Sequence, residues 1–182
     1  MKEKLPTHED LLAKINIQEQ KMNKVKRLYL FISRINQIIV RAQDRNQLFK
    51  EVCNIAVEIG GFQMAWIGLI DLETKEVLPV SVGGDHQDYL SIIKTISLSS
   101  EQKGGTGPAG IAMRLDKYQV CNAIEDDPIM EPWRADALKK GFLSVIALPV
   151  KMFDKVIGVF VIYAAEKNYF DDEEIQLLDN AT

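Results

Sequence analysis

Residues 142–182 read FLSVIALPVKMFDKVIGVFVIYAAEKNYFDDEEIQLLDNAT. Two nearly unbroken apolar runs, Leu143 to Val150 and Val156 to Ala165, flank a short charged turn. An extended chain alternates its side chains between two faces, so strands this apolar need cover on both sides. A helix then starts at a well-built cap. Asp171 stands at the cap with Glu174 three residues on, a capping box with Asp in place of Ser or Thr. Phe170 is placed to staple onto Ile175, and Asp172 and Glu173 suit the positive end of the helix dipole. The sequence stops inside this helix, so it is expected to be a module of something longer.

Working outward, 182 residues fit one domain plus an extension, and 47% hydrophobic residues supply a substantial core. A net charge of -4 gives no overall basic field, so nucleic acid is not an expected partner. Cys53 and Cys121 are the two cysteines, without metal-type spacing; this excludes a disulfide scaffold and fits a reducing, cytoplasmic setting. No apolar stretch approaches the roughly 20 residues of a spanning helix, and the start MKEKLPTHED has no apolar signal core.

Residues 1 to about 41 read as helix, with Leu11, Ile15, Met22, Val25, Ile32 and Ile39 in a heptad-like stripe and Gln18, Tyr29 and Asn36 in its seam. Residues 8–25 are expected to meet a partner helix, whereas Leu28 to Ile39 can also lie on their own domain. Asp44 with Gln47 reads as a cap for a second helix burying Leu48, Phe49, Val52, Cys53 and Ala56, ended by Gly60-Gly61.

Phe62 to Asp71 reads as a strand, with Met64, Trp66, Gly68 and Ile70 on one face and Ala65, Ile67 and Leu69 on the other. After the DLETK turn comes a strand over 76–82, in which Pro79 marks an edge or irregularity. A short helix over 85–98 running into a strand, a helix opening at Pro108, a strand over 117–122, a helix over 131–140 ended by Gly141, the apolar hairpin and the last helix complete the order. Hairpins at both ends imply an antiparallel sheet, with terminal helices on one face and middle helices and loops on the other.

Five ordered segments, GFQMAWIGLID, GGTGPAGIAM, VCNAIEDDP, PWRADALKKGFLSVIALPV and VIGVFVIYAAEKNYFDDEEIQLL, make residues 28–182 resemble a GAF domain of the type found in bacterial sensor histidine kinases and related signalling proteins. The resemblance implies an α+β fold, with five or six antiparallel strands, terminal helices on one face and a ligand pocket on the other. Residues 1–27 are then a helical extension or coiled-coil linker. Two departures stand out. The last hairpin turn carries Met152-Phe153-Asp154 where relatives often have Gly, and Gly107 is followed by Pro108 where they often have Arg or Lys.

Candidate ligand-binding residues are Trp66, Thr106, Gly107, Cys121, Asp126, Asp127, Trp133 and Arg134. The Gly104–Gly107 loop before a helix N-terminus either holds an anion or is a connection that needs glycine; it lacks the GKT or GKS of a phosphate loop. Trp133 beside Arg134 either stacks on and neutralises a planar anion, or plugs the core while Arg134 pairs with Asp136 or Asp127. Asp126 and Asp127 either bind a cation or amine, or cap the next helix. Trp66 reads as packing under the terminal helices or as pocket floor.

The expected function is a sensory or regulatory module, not an enzyme. It binds a small molecule, forms a homodimer through its terminal helices and relays to an output domain of histidine kinase or diguanylate cyclase type. The alternative is a GAF-type enzyme reducing free methionine sulfoxide through Cys121. A nucleophilic Cys121 needs a neighbouring base, and the histidines are His8 in the extension and His86, which the sequence does not place at the pocket. No cofactor is named: Cys121 is followed by Asn122, not by the histidine usual in bilin-binding relatives, and haem would depend on His86. FDDEE resembles an acidic motif of cyclic-nucleotide-binding relatives, but its spacing differs and helix capping accounts for it.

Overall fold

A computed structural model describes residues 7–42, 44–85, 87–92, 96–99 and 103–179. In chain order the elements are α1 (His8–Arg41), α2 (Arg45–Glu58), β1 (Met64–Ile70), β2 (Glu76–Gly83), α3 (Gln87–Ile92), β3 (Ile96–Ser97), α4 (Pro108–Leu115), β4 (Gln119–Cys121), α5 (Arg134–Lys139), β5 (Ser144–Met152), β6 (Lys155–Ala164) and α6 (Asp172–Asp179). Short 3-10 turns lie at Lys103–Gly105 and Pro128–Met130. Among the described residues six strands form one antiparallel sheet in the order β3-β2-β1-β6-β5-β4.

The two apolar runs sit at the centre of that order, and their alternation builds two cores. Ile146, Leu148, Phe160 and Ile162 face α1, α2 and α6, joined by Phe31, Val52, Phe62 and Phe170. Val145, Ala147, Val159, Val161 and Tyr163 face α3, α4, α5 and their loops, joined by Met64, Trp66, Tyr89 and Phe142. Pro149 is tolerated within β5 because β4 pairs only with Val145, Ile146 and Ala147, so no ladder donor is needed on that side. Pro79 lies where the β1–β2 register shifts, opposite Gly68. Gly83 allows α2 to press on β2, since a Cβ there would lie 2.2 Å from the Cys53 carbonyl oxygen.

Local signals decide most boundaries. Asp44 caps α2 through the amides of Asn46 and Gln47, but the Gln47 side chain bonds Glu51 and does not close a capping box. Asp171 and Glu174 do form one, at 3.0 and 3.2 Å. Thr7 and Asp10 form another at the start of α1, a signal not used in reading the sequence. The helix expected over 131–140 is shorter, because Pro128 starts a separate turn capped by Asp127 and regular helix begins only at Arg134. The strand expected over 117–122 contracts to Gln119–Cys121, since α4 ends in the left-handed Asp116 immediately before it.

Along α1 the buried residues are Leu28, Phe31 and Ile35, while Leu11, Ile15 and Met22 are exposed. Before Leu28 the contact with the domain is polar and involves α6. Lys24 Nζ lies 2.6 Å from Glu174 Oε2, donates to the Tyr169 carbonyl and sits 4.2 Å above the Tyr169 ring. Arg27 Nη2 donates to the Tyr169 hydroxyl. Burial holds the Glu174 carboxyl above its ordinary value despite Lys24.

Removing one partner of a buried ion pair leaves an uncompensated charge. Lys24→Met is therefore expected to lower stability at neutral pH by roughly 2 kcal/mol. A carboxyl whose folded-state value is raised binds its proton more tightly when folded, so this loss should shrink as pH falls and Glu174 neutralises. Chemical denaturation of both proteins across pH checks the trend. At the β5–β6 turn, Phe153 and Asp154 both adopt positive φ, at 50° and 60°, and Phe153 is 90% exposed. Phe153→Asn combined with Asp154→Gly supplies the residues such a turn favours and should raise the unfolding free energy by about 1 kcal/mol.

Candidate functional site

On the sheet face away from the terminal helices, β1, β5 and β6 form the floor of a cavity of about 30 Å³. Trp66, Val145, Val161 and Tyr163 come from the strands, Gly107 to Gly110 from the start of α4, and Met130 and Trp133 from the segment leading into α5. That volume admits about one or two waters, so a larger ligand requires the walls to part. The lining is apolar and aromatic, without a charged side chain among the described residues.

Trp66 in this wall and Tyr89, packed behind it against Tyr163, are out of balance. Trp66 is 1% exposed and Tyr89 fully buried, yet Trp66 Nε1 and the Tyr89 hydroxyl have no hydrogen-bond partner among the described residues. The Tyr163 hydroxyl is polar neighbour to both, but neither reaches hydrogen-bond geometry with it. Burial pushes the Tyr163 hydroxyl up to about 12, and that of Tyr89 higher still. Both are thus neutral donors at physiological pH.

Gly107 is the cap residue of α4 and contributes no side chain, and Pro108 has no N–H. A Cβ at Gly107 would fall 2.4 Å from Trp133, so only glycine lets the indole lie against the first turn of α4. Trp66, Gly107 and Trp133 are therefore brought together. Thr106 is exposed beside them.

The other candidates have different surroundings. Arg134 Nε donates to the Ile124 carbonyl at 3.2 Å and Nη2 to the Asp127 carbonyl at 2.9 Å, tying α5 to the loop after β4. Asp127 Oδ1 accepts from the Ile129 amide, and Asp126 is exposed in the preceding turn. No group of three metal-ligating side chains occurs among the described residues.

Cys121 is buried in the cavity-side core but does not line the cavity. Burial, with Asp127 adding to it, pushes its thiol up to about 12. Cys53 is likewise raised to about 12 by burial and lies in the opposite core, so the sheet separates the two sulfurs. His8 is in the first turn of α1, and His86 lies outside the described residues.

Sequence reasoning missed Tyr89 and Tyr163. Tyr163 shares the strand phase of Val159 and Val161, so the alternation already assigned its face. Asn122, noted only as the residue after Cys121, proves to be a clamp. Its Nδ2 donates to the Phe170 carbonyl at 2.8 Å and its Oδ1 accepts from the Phe170 amide at 3.1 Å, fixing the approach to α6.

Comparison with known proteins places these features. A family model described as GAF domain matches residues 42–181. No curated protein matches. Among solved structures, the chain is similar to the free methionine-R-sulfoxide reductase of Neisseria meningitidis in complex with its substrate, at 16% identity and TM-score 0.67, covering 85% of this chain and 83% of that one. It is similar to an A. aeolicus GAF domain in an inactive state, at 16% identity and TM-score 0.64, covering 87% and 90%. A domain of a two-component sensor histidine kinase protein from Sinorhizobium meliloti matches at 15% identity and TM-score 0.57, covering 77% and 86%. The reductase corrects one expectation: this fold is carried by enzymes, so the reading of the chain as a non-enzyme does not stand. Among the described residues no helix is long and apolar enough to cross a membrane. With the expected antiparallel sheet, the helices on both its faces and a family match over most of its length, the chain belongs to the GAF domain family.

Proposed function

We propose that this chain is a sensory and regulatory GAF module of a cytoplasmic signalling protein. It binds a small molecule in the cavity beneath Trp133, dimerises through α1, and relays the change through α1 and α6 to an output domain of histidine kinase or diguanylate cyclase type. Residues 1–27 form the helical extension and the domain proper begins near Leu28, where α1 first becomes buried.

The observation that carries this reading is the hydrogen-bonded line between the two faces. Trp133 covers the cavity and is followed by Arg134, which holds the loop after β4. At the start of that loop Asn122 grips Phe170, two residues before α6 begins. Glu174 on α6 is paired with Lys24 on α1. A ligand that favours one position of Trp133 thus has a physical route to the terminal helices, provided it binds that arrangement better than the other. Trp66, Gly107 and Trp133 take the direct binding role. Thr106, Cys121, Asp126, Asp127 and Arg134 shape the loops around it.

Dimerisation is supported by the exposed stripe of Leu11, Ile15 and Met22, which has nothing in its own domain to cover it. Sedimentation equilibrium is expected to show a dimer, and replacing all three residues by Gln should give a monomer with an intact domain. A thermal-shift screen over nucleotides, amino acids and tetrapyrroles should yield stabilisers through binding to the native state. A monomer at high concentration together with an empty screen would sink the reading.

The reductase neighbour supports a second reading, Cys121-dependent reduction of free methionine sulfoxide. With Cys53 across the sheet, reduction would need an external thiol to resolve the oxidised Cys121. Turnover of methionine sulfoxide with a dithiol reductant, abolished by Cys121→Ser, is the outcome that establishes it. Equal rates for both proteins at the uncatalysed level dismiss it.

A further inference from the structure

The cavity has a chemical polarity that narrows its ligand. Its side-chain N–H and O–H groups among the described residues are carried on flat rings: the indole N–H groups of Trp66 and Trp133 and the Tyr163 hydroxyl, with Tyr89 packed against Tyr163. An indole N–H can only donate. Ala109 and Gly110, in the first turn of α4 where helix amides lack intrahelical partners, line the same space. Buried donors left unpaired cost about 1–3 kcal/mol each, a cost that a bound acceptor removes.

No lysine, arginine or carboxylate lines the space among the described residues. Arg114 and Arg134, the cations nearest in sequence to α4 and Trp133, are engaged by backbone carbonyls. A polyphosphate would therefore bring several charges without counter-charge, a far larger desolvation penalty than that of a neutral carbonyl or a single carboxylate held by ring donors and first-turn amides. The walls instead offer the faces of Trp66, Trp133 and Tyr163, which suit a planar apolar body. The size is limited too: the cavity is about 30 Å³, so a ligand larger than a water or two requires the walls, Trp133 against Gly107 among them, to part.

Resting on the reading of the cavity as a binding site, we infer that its ligand is a small planar molecule carrying a carbonyl or carboxylate acceptor, received by Trp66 Nε1 and the Tyr163 hydroxyl beneath Trp133. Neutral carbonyl and carboxylate share this acceptor chemistry, and two probes separate them.

Both tryptophans of the protein line the cavity, so intrinsic fluorescence reports on it directly. Benzamide and benzoate are titrated into the full chain, with inorganic phosphate and cyclic GMP in parallel. A saturable change with benzamide, benzoate or both is expected, and the responder identifies the acceptor as carbonyl or carboxylate. Trp66→Phe should weaken that binding about fivefold, the equivalent of one hydrogen bond. Tyr163→Phe removes a single oxygen and should weaken it similarly, which keeps the test usable if Trp66→Phe does not fold. Unchanged affinity in a folded variant of either kind overturns the assignment. A response to phosphate or cyclic GMP with neither aromatic probe overturns the inference while leaving the cavity a binding site. Silence toward all four probes overturns the inference, and the wider thermal-shift screen then decides whether the sensory reading falls with it.

Discussion

The β5–β6 ladder, buried on both faces, is the constraint on which the rest of the molecule depends. Its register runs from Ser144 opposite Ala164 to Met152 opposite Lys155, with an irregularity between Val150 and Lys151. Because side chains alternate, one backbone pairing fixes two cores. A slip by one residue would send Ile146 and Phe160 to the cavity side and Val145 and Tyr163 to the helical side. Neither cover could then fit, since each core is packed with its own set of large side chains, Phe31, Phe62 and Phe170 on the helical side and Trp66, Tyr89 and Phe142 on the cavity side. The pairing thus determines where the helices lie and where a ligand can enter.

Unpaired buried polar atoms are concentrated at two places. Trp66 Nε1 and the Tyr89 hydroxyl lie at the cavity, and Arg27 Nε and Glu174 Oε1 at the junction of α1 with α6. Elsewhere comparable groups are well satisfied. Ser144, fully buried, donates toward the carbonyls of Asn122 and Glu166, and Asn122 uses both ends of its amide on Phe170. On the proposed function these two places are the receptor and the lever, where unpaired polar atoms can gain partners when the arrangement changes.

Most of the architecture was legible because it is written in local chemistry. Alternating apolar runs gave the central strands, Asp44 and Asp171 gave helix starts, and Gly107-Pro108 gave the mouth of α4. The site was legible only in part. Trp66, Gly107 and Trp133 could be singled out by residue type, but their meeting depends on β1, α4 and the turn before α5 converging across the sheet. Arg134 looked like a ligand cation because sequence does not reveal which carbonyls a guanidinium will find. Tyr89 had no readable role, since its burial depends on rings that lie 53 and 74 positions later, Phe142 and Tyr163. Local periodicity carries no information about such contacts.

The same separation bears on the proposed coupling between the cavity and the terminal helices. Packing across a sheet transmits poorly when the two cores touch only through a rigid ladder, because displacing a central strand breaks backbone hydrogen bonds on both sides. A connection at the end of the sheet avoids that cost. Asn122 lies just past β4, the edge strand, and its amide spans to the segment that starts α6. The loop held by Arg134 is tied to the sheet as well, since the Asn122 carbonyl accepts from Ser144 at the start of β5 and from the Asn168 amide. Phe170 packs among Phe62 and Tyr169, and Tyr169 carries the contacts of Lys24 and Arg27 from α1. The rigid ladder holds the two layers in place, and the hydrogen bonds of Asn122 at the edge of the sheet are the contacts through which the proposed relay would pass.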